Sequence, residues 1–489
     1  MNSRPTHTPT LDTGAPIQLY NTLTRRKDTL TPLTPGKVSI YTCGLTVYSQ
    51  PHIGNWVSYI YWDVLVRLLR AAGLMVTRTQ NITDVGHLTS DADDGEDKMQ
   101  AGAQREGLTA WDIARKYMAI ADHEAYDLLG LTRPDHLVRA TDYIPQQIAF
   151  ARALEDKGYT YRIPGDGLYF DTSKLAHYGQ LARLDIAGLA AGARVSAAGK
   201  RNATDFAIWK LSPPGAQRDM EWESPWGVGF PGWHLECSVI ARETLGDQID
   251  IHTGGIDHIP VHHSNEIAQT ESLTGKQFAR VWLHNNHLKV DGRKMSKSLG
   301  NIITLADITA HGAHPMAFKL AILSKHYRTE GNFTWEILDA ASHRYQRWQE
   351  AASLRWQATA VDSAGQTNTL LASAPSTLRS KLSDDLGTPE AVAFIDSICK
   401  AILSTPPQQL HQPLLAAFTA AVDDLLGLSL DRSTPNLSAQ QQQLLSQRSQ
   451  ARAAKDWQAS DTLRDELSAQ GITVNDSPHG TTWHYIMPK

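Results

Sequence analysis

Cysteine is scarce in this sequence of 489 residues, which contains only Cys43, Cys237 and Cys399. Three cysteines are too few for the disulfide framework of a small secreted protein, so we expect a reducing compartment, the cytoplasm. A run of about 18 apolar residues is also missing, and this excludes a membrane-spanning helix. Residues 1–16 lack the apolar segment of a signal peptide, and we interpret them as a flexible tail.

An excess of charge of one sign is absent as well. The net charge of −5 excludes a protein that is basic over its whole surface, although local basic patches for a nucleic acid remain compatible with it. Apolar residues make up 41% and charged residues 20% of the chain, a balance typical of a globular protein. The length predicts roughly two to four domains.

The first part of the chain has a strand–helix–strand pattern. Lys37–Thr42 is rich in β-branched and aromatic residues and Met75–Ile82 in β-branched residues, which predicts two strands. Apolar residues recur at helical spacing across residues 53–72, between these strands. Ligands bind at the carboxyl ends of the strands in sheets of this kind, which is where Cys43 and His52 would lie.

Glycine- and proline-rich turns after residue 110 predict an insertion, before strands resume at 247–252 and 280–290. Helices follow, with residues 351–373 interpreted as a linker between them. We therefore predict an α/β protein with a Rossmann-type nucleotide-binding catalytic domain, an inserted connective region, all-α helical domains and a small C-terminal unit. The predicted boundaries are 1–16 for the tail, 17–110 and 231–305 for the catalytic domain, 111–230 for the insertion, 306–435 for the helical domain and 436–489 for the C-terminal unit.

Four potential metal ligands are spread over the catalytic segments. His262 and Glu266 are four residues apart, so a helix would place both side chains on one face. Cys237 and Cys43 could complete a set of two thiolates, one imidazole and one carboxylate, all of which are plausible zinc ligands. No Cys-x-x-Cys pair supports this set. The residues alone leave a second interpretation open, in which the cysteines are buried apolar residues and the histidines belong to a solvated helix end.

Two separated segments together indicate the handling of ATP. Lys294 and Lys297 lie in the pentapeptide Lys-Met-Ser-Lys-Ser, a loop that could neutralise charge on a transferring phosphate group. Far upstream, His52 and Asn55 flank Gly54 at a predicted helix N-terminus, where backbone N–H groups favour phosphate oxygens. The two segments resemble the ATP-binding pair of class I aminoacyl-tRNA synthetases.

A more specific resemblance extends over most of the chain after residue 17. The sequence is similar to cysteinyl-tRNA synthetases in the segments 41–44, 51–55, 81–84, 232–238, 262–266, 294–298, 457–461 and 480–483. This resemblance implies ATP-dependent ligation of L-cysteine to tRNA(Cys) through a cysteinyl-adenylate, with release of AMP and pyrophosphate. It also implies one Zn²⁺ per chain, held by Cys43, Cys237, His262 and Glu266, that selects the substrate thiol.

The resemblance further implies roles for individual residues. Mg²⁺ would accompany ATP, and Lys297 would make the main lysine contact to it. The expected ATP-binding residues are His52, Gly54, Asn55, Gly254, Gly255, Asp257, Lys294 and Lys297. The expected residues around the cysteine substrate are Gly44, Thr83, Trp233 and His252.

Three features depart from the family pattern. Asn55 stands where the family usually carries histidine, and we expect activity to survive because asparagine can also donate a hydrogen bond. His258 stands where the family usually carries an apolar residue, which leaves it either a metal ligand or, as we favour, a partner of the ligands. The acidic stretch 91–97 lacks the ligand spacing of a calcium loop, and we interpret it as a solvated loop beside the active site.

At the C-terminal end, the resemblance implies a stem-contact region and an anticodon-binding unit. Arg448 and Arg452 are predicted to contact tRNA phosphates, and Trp483 to stack on a base, whereas we interpret Trp457 as structural. We expect a monomer that binds ATP, L-cysteine and tRNA but no membrane. Two alternatives are a ligase that transfers cysteine to an amino sugar and a non-catalytic zinc- and RNA-binding protein. The C-terminal region argues against the first, and the two ATP segments argue against the second.

Overall fold

The structure, a computed structural model, describes residues 15–86, 97–184, 199–213, 215, 218–296, 299–478 and 480–485. Its strands are β1 (Gln18–Asn21), β2 (Arg26–Thr29), β3 (Lys37–Thr42), β4 (Met75–Ile82), β5 (His136–Arg139), β6 (Thr160–Ile163), β7 (Gly167–Phe170), β8 (Phe206–Leu211), β9 (Gly229–Pro231), β10 (Ile249–Gly255), β11 (Ala279–Asn285), β12 (Leu288–Val290), β13 (Arg293–Lys294), β14 (Gly331–Phe333), β15 (Ile472–Ser477) and β16 (Gly480–Tyr485). Its α-helices are α1 (Ile53–Ala71), α2 (Lys98–Glu106), α3 (Ala110–Asp122), α4 (Ile144–Asp156), α5 (Trp233–Leu245), α6 (His262–Thr274), α7 (Leu305–Ala310), α8 (Pro315–Leu323), α9 (Trp335–Ser353), α10 (Gln366–Ser383), α11 (Thr388–Leu403), α12 (Gln412–Leu426), α13 (Leu430–Ser433), α14 (Ala439–Ala453) and α15 (Trp457–Ala469).

A parallel sheet forms the centre of the catalytic region, with the strand order β11-β10-β3-β4-β5. Chain order proceeds outward in one direction from β3 to β5 and in the other from β10 to β11. The point between β3 and β10 is therefore a topological switch point, where α/β sheets bind their ligands. This topology confirms the predicted Rossmann-type fold.

Helix α1 connects the first two parallel strands. The backbone N–H of His52 donates to Asn55 Oδ1 at 2.9 Å at the start of the helix, and Gly73 follows its end with a φ of 82°, which favours glycine. Ile60 and Leu68 are completely buried. A helix that packs against both the sheet and the helical region needs apolar residues on most of its circumference.

The predicted insertion, residues 111–230, does not coincide with the boundary of the sheet. Strand β5 lies inside that range, yet it pairs with β4 as the edge strand of the parallel sheet. Strands β6 to β9 form a separate antiparallel sheet. The structure thus corrects the boundary, because a four-residue strand contributes to the sheet from within the range assigned to the insertion.

The helices after residue 305 share a hydrophobic core with the catalytic region. Ile60 and Leu65 from α1 belong to the same buried cluster as Leu378 and Leu425 from the helical region. The connection between helices is shorter than the predicted linker at 351–373, because α9 continues to Ser353 and α10 begins at Gln366, which leaves residues 354–365 between them. Alanine, serine and glutamine are compatible with helix when neighbouring helices bury one face.

A buried cation joins several of these elements. The ammonium of Lys319 in α8 donates to Asp63 Oδ2 at 3.2 Å, to the carbonyl of Leu129 at 3.2 Å and to that of Gly427 at 2.9 Å. Arg67 donates to Asp63 Oδ2 at 2.7 Å. Burial opposes ionisation of Asp63, but Lys319 and Arg67 outweigh it and hold the pKa of that carboxyl well below its usual range.

The C-terminal unit has its own small core, in which the β15–β16 hairpin packs on α14 and α15. Leu444, Leu467, Ile472 and Trp483 are buried in this core. None of the described helices combines the length and the apolar character needed to cross a membrane.

Candidate active site and metal centre

A cavity of about 570 Å³ opens at the carboxyl ends of β3 and β10. It lies at the switch point of the parallel sheet, where the topology favours a ligand site. Most of the predicted site residues line this cavity: Cys43, Gly44, His52, Gly54, Asn55, Thr83, Trp233, Cys237, Gly254, Gly255, Asp257, His262 and Lys294.

Four buried side chains at the floor of the cavity could hold a metal ion. Ligand atoms of Cys43, Cys237, His262 and Glu266 all lie within 4.8 Å of one another. The two sulfur atoms are 3.9 Å apart, and His262 Nε2 lies 3.1 Å from Glu266 Oε1 across one turn of α6. Zinc–sulfur bonds of about 2.3 Å in a tetrahedron separate the two sulfurs by about 3.8 Å. The spacing of the sulfur atoms therefore fits a tetrahedral zinc site.

Neighbouring side chains orient these four residues. His262 Nδ1 lies 2.9 Å from Nδ1 of His234, so its Nε2 is left to face the other donors. His252 Nε2 lies 2.8 Å from Glu266 Oε2. Metal-binding histidines and carboxylates are generally held by a second set of partners in this manner.

A second set of four donors overlaps the first. Cys43 and Glu266 also come together with His252 and His263. His263 Nε2 lies 3.3 Å from Cys43 Sγ, and its Nδ1 lies 2.7 Å from His284 Nε2. His262 and His263 are thus both near the shared donors, but only His262 belongs to the set that includes Cys237.

The protonation of the four residues reflects their burial and mutual contacts. Burial raises the pKa of the Cys43 thiol well above its usual value, and the neighbouring Cys237 adds to this effect. Burial opposes a charge on His262, but Glu266 and the Cys237 sulfur outweigh it and raise the pKa of His262 to about 10. Burial likewise opposes ionisation of Glu266, but His252 and His262 hold its pKa well below its usual range. A metal ion would displace the protons on Cys43 and His262.

His252 occupies a different place from the one predicted. Its side chain is completely buried beneath the cavity, where its ring stacks on Trp282 at 4.4 Å between centroids. Its Nε2 is directed at Glu266. The structure corrects the expected contact to the amino acid, because in this position His252 orients Glu266.

Thr83 also lines the cavity. Its hydroxyl donates to Glu236 Oε2 at 3.0 Å and accepts from Asn81 Nδ2 at 3.0 Å. Glu236 is completely buried. This wall therefore places a carboxylate directly behind the Thr83 hydroxyl.

Close packing at the other end of the cavity depends on glycines. A Cβ atom on Gly54 would lie 2.3 Å from Met295 Cε, so this glycine lets the lysine-containing loop approach the start of α1. A Cβ atom on Gly254 would lie 2.6 Å from His263 Cε1 and 2.8 Å from His258 Nδ1. Gly254 thus admits the histidine rings, a packing role that the sequence reasoning had not assigned to it.

The lysine-containing loop is partly described. Lys294 is exposed, and its carbonyl accepts a bond from Asn301 Nδ2 at 3.2 Å. Asn301 Oδ1 also accepts from the backbone N–H of Ser296 at 2.9 Å, which fixes the turn. Lys297 lies outside the described residues, as does the acidic stretch apart from Asp97.

Several residues of the site are not among those predicted from the sequence. His234, Glu236 and His263 each contact a predicted site residue, and Tyr59 donates from its hydroxyl to the Cys43 carbonyl at 3.1 Å. His234 and Glu236 lie three residues and one residue before Cys237 in the sequence, and His263 follows His262. Their proximity to predicted ligands in the sequence was the signal that could have identified them.

Two of the predicted tRNA contacts have other roles in the structure. Arg448 is buried and forms a bidentate pair with Asp476, with contacts of 3.0 and 2.7 Å. Trp483 is also buried, so its ring packs in the core of the unit and cannot stack on a base. Trp457, which we had interpreted as structural, is 57% exposed, with Arg452 5.7 Å from its ring centroid. The exposure of the two tryptophans is thus the reverse of the one predicted, because it is set by tertiary packing, which the sequence does not reveal.

Comparisons with known proteins agree with this architecture. A family model described as the class I (C) catalytic domain of tRNA synthetases matches residues 29–343, and one described as the cysteinyl-tRNA ligase anticodon binding domain matches residues 434–483. Cysteine–tRNA ligase 1 of Burkholderia lata is 45% identical over 476 residues, which cover 95% of this chain and 96% of that protein. Cysteine–tRNA ligase of Novosphingobium aromaticivorans is 42% identical over 490 residues, covering 96% and 97%.

Solved structures share the fold at low sequence identity. Methionyl-tRNA synthetase of Mycobacterium tuberculosis in complex with methionyl-adenylate has a TM-score of 0.58 at 15% identity and covers 81% of this chain and 92% of its own. The agnB2 LeuRS of Agrobacterium radiobacter K84 in a ternary complex has a TM-score of 0.60 at 11% identity, covering 82% and 85%. The family models and the close relatives, together with this fold, show that the chain belongs to the cysteine–tRNA ligase family of class I aminoacyl-tRNA synthetases.

Proposed function

We propose that this enzyme activates L-cysteine with ATP to a cysteinyl-adenylate and transfers the cysteinyl group to tRNA(Cys), with a zinc ion selecting the substrate thiol. The observation that carries the proposal is the convergence of Cys43, Cys237, His262 and Glu266 at the floor of a cavity whose rim contains His52 and Lys294. One cavity thus contains both the residues suited to recognise the amino acid and the residues suited to bind ATP.

The chemistry of the floor favours cysteine over serine. A pocket that senses only size would distinguish these two amino acids by about 10²-fold. Zinc held by these four residues would supply a borderline-soft ion that prefers a thiolate to a hydroxyl. Trp233 lies beside His262, with 4.5 Å between ring centroids, and limits the volume available to a larger side chain.

The rim of the cavity supports the handling of ATP. At the first turn of α1 the backbone N–H groups of Ile53 and Asn55 already donate to the carbonyls of Ile303 and His52, and the helix dipole still favours phosphate oxygens at this end. Because Asn55 Oδ1 already accepts the His52 N–H, its Nδ2 is the group left to donate to a phosphate. Asp257 is exposed beside Gly255 and is suited to accept ribose hydroxyls. In this proposal the cysteine carboxylate attacks the α-phosphate and pyrophosphate leaves. Lys294 and Lys297 would balance the developing charge, and Mg²⁺ bound with ATP would add to this effect.

The C-terminal unit would bind tRNA. The match to a cysteinyl-tRNA ligase anticodon binding domain supports this assignment. Trp457 and Arg452 replace Trp483 and Arg448 as the candidate contacts, because the first pair is at least partly accessible and the second pair is buried. An accessible aromatic ring beside a guanidinium is suited to stacking on an unpaired base.

Two sequential assays test the proposal. Pyrophosphate exchange should depend on cysteine and should be far weaker with serine, and unfractionated tRNA should then be charged with cysteine. Exchange that proceeds equally with serine would contradict the selection of the thiol. Pyrophosphate exchange without charging of tRNA, combined with transfer of cysteine to an amino sugar, would favour the alternative in which the protein is an amino-sugar ligase.

The role of Lys297 can be tested within the same scheme. Lys297→Ala should slow adenylate formation much more than it weakens cysteine binding, and equal losses would contradict a role in ATP activation. We also propose that the enzyme acts as a monomer, since one chain supplies all four candidate metal ligands, and that it acts in the cytoplasm, a reducing compartment that suits its free cysteines. Sedimentation of the enzyme with and without tRNA would test the monomer.

A further inference from the structure

His258 lies on the cavity wall between the two ends of the site. It follows Asp257 at the nucleotide end, and its ring centroid is 5.0 Å from that of His262 at the metal end. Its ring also meets that of Trp233 edge-on at 6.2 Å. An amino acid whose side chain reaches the floor would therefore place its α-carbon substituents beside His258.

The surroundings of the ring determine which nitrogen carries a proton. Neither nitrogen of His258 has a hydrogen-bond partner among the residues that the structure describes; Nδ1 is buried next to Gly254. The nearest carboxylate oxygen to Nε2, Asp257 Oδ2, is 3.9 Å away, too far for a hydrogen bond. A buried N–H without an acceptor is rarer than a buried acceptor without a donor, so the proton belongs on Nε2. The ring thus presents an unused N–H donor toward the cavity.

The part of the lining that contains Thr83 has the complementary character. There the Thr83 hydroxyl is backed by the buried carboxylate of Glu236, which favours a positively charged group. Of the two charged groups on the α-carbon of an amino acid, the ammonium therefore suits the Thr83 wall and the carboxylate suits the His258 wall.

We propose that His258 Nε2–H donates a hydrogen bond to the α-carboxylate of the amino-acid substrate and positions it for attack on ATP. This inference rests on the proposed function, since it assumes that an amino acid binds with its side chain at the floor. It assigns a substrate contact to a residue that would otherwise serve only as a neighbour of the metal ligands.

Three variants separate the Nε2 donor from the bulk of the ring. His258→Leu removes both nitrogens, His258→Gln places an amide N–H where Nε2 lies, and His258→Asn places one nearer to Nδ1. We expect the KM for cysteine in pyrophosphate exchange to rise about tenfold or more in the Leu and Asn variants, as expected for the loss of a hydrogen bond to a charged group. The Gln variant should keep most of the affinity, and the KM for ATP should stay unchanged in all three.

Two thiol inhibitors provide a matched control for the carboxylate. 3-Mercaptopropionate has a carboxylate but no ammonium, and cysteamine has an ammonium but no carboxylate. In His258→Leu, the inhibition constant of 3-mercaptopropionate should rise by the same factor as the KM for cysteine, and that of cysteamine should not change. A merely structural role would weaken both inhibitors, so equal shifts would overturn the proposal.

Other results would also overturn it. These are an unchanged KM for cysteine in the Leu variant, equal behaviour of the Gln and Asn variants, a change confined to ATP, or a loss of bound zinc measured per chain. If the parent enzyme fails to catalyse cysteine-dependent exchange, the proposed function itself is wrong. If the parent is active and the variants are not distinguished, only the role of His258 is wrong.

Discussion

Buried charged groups occur both at the floor of the cavity and in the C-terminal unit, but they are balanced differently. In the C-terminal unit, the guanidinium of Arg448 meets the carboxylate of Asp476 in a bidentate pair. At the floor, two cysteine sulfurs converge with the carboxylate of Glu266, whose charge is balanced by His262. Arg448 keeps its charge permanently and so has a structural role, whereas His262 can give up its proton and leave a convergent set of donors for a metal ion.

Removal of one donor from the floor should have the largest effect and would test this comparison most severely. We expect Cys237→Ala to lower zinc content and to reduce cysteine-dependent exchange by about 100-fold or more, since even outer partners of metal ligands typically contribute 10- to 100-fold. Zinc per chain and the exchange rate are the measurements. Cys399→Ala is the matched control, because Cys399 is equally buried but lies in the helical region. Retained zinc in Cys237→Ala would contradict the assignment of the floor.

A smaller effect is expected at the two tryptophans of the C-terminal unit. Trp457→Ala should reduce the kcat/KM of tRNA charging about tenfold, since base stacking contributes about 1–3 kcal/mol, and should leave pyrophosphate exchange unchanged. Trp483→Ala should instead lower the melting temperature of the unit, because it creates a cavity in the core. If Trp483→Ala impaired charging without lowering stability, the interpretation of its burial would be wrong.

The number of protons released on metal binding should test the protonation states of the residues at the floor of the cavity. The pKa of Cys43 is raised and that of His262 is raised to about 10, so both residues hold protons at pH 7. Burial opposes ionisation of Cys237, but Cys43 and His262 outweigh it and lower the pKa of that thiol, so we do not count it among the proton donors. We expect about two protons to leave per zinc ion bound to metal-depleted enzyme. Calorimetry in buffers of different ionisation enthalpy measures this number. Zinc affinity should rise as the pH approaches 10, and a pH-independent affinity would contradict these protonation states.

The smallest effect concerns the ion pair of the C-terminal unit. Arg448 holds the pKa of Asp476 at about 2, below its ordinary value of 3.8. The pair therefore contributes stability that is fully present above pH 3.8 and is lost as the pH falls toward 2. Unfolding of the unit in acid should show this dependence, and Asp476→Asn should flatten it. An equally steep dependence in the variant would assign the effect to other carboxyl groups.

The elements predicted best were those with strong local patterns. The strands Lys37–Thr42 and Met75–Ile82 agree with the prediction, and the helix predicted at 53–72 is observed as Ile53–Ala71. Strand β5 was missed because its sequence, His-Leu-Val-Arg, is too short to show a period. Its place is set by pairing with β4, a contact between distant parts of the chain.

The candidate site was predictable where residue type determines its chemistry. Thiols, imidazole and carboxylate favour metal ions wherever they meet, and the fold brings the predicted quartet together. Side chains with several uses were less predictable. His252 can contact a substrate or orient a ligand, and Trp483 can stack on a base or fill a core. Burial decides between these roles, and burial depends on the whole fold.

The buried ammonium of Lys319 also bears on which regions of the molecule should unfold together. It bonds to groups of α1, of the segment after α3 and of the turn after α12, so the loss of any one leaves a buried charge less well satisfied. The catalytic and helical regions, which share one core, should therefore melt in a single cooperative transition. The C-terminal unit, with its separate core, should melt on its own, and scanning calorimetry should resolve two peaks.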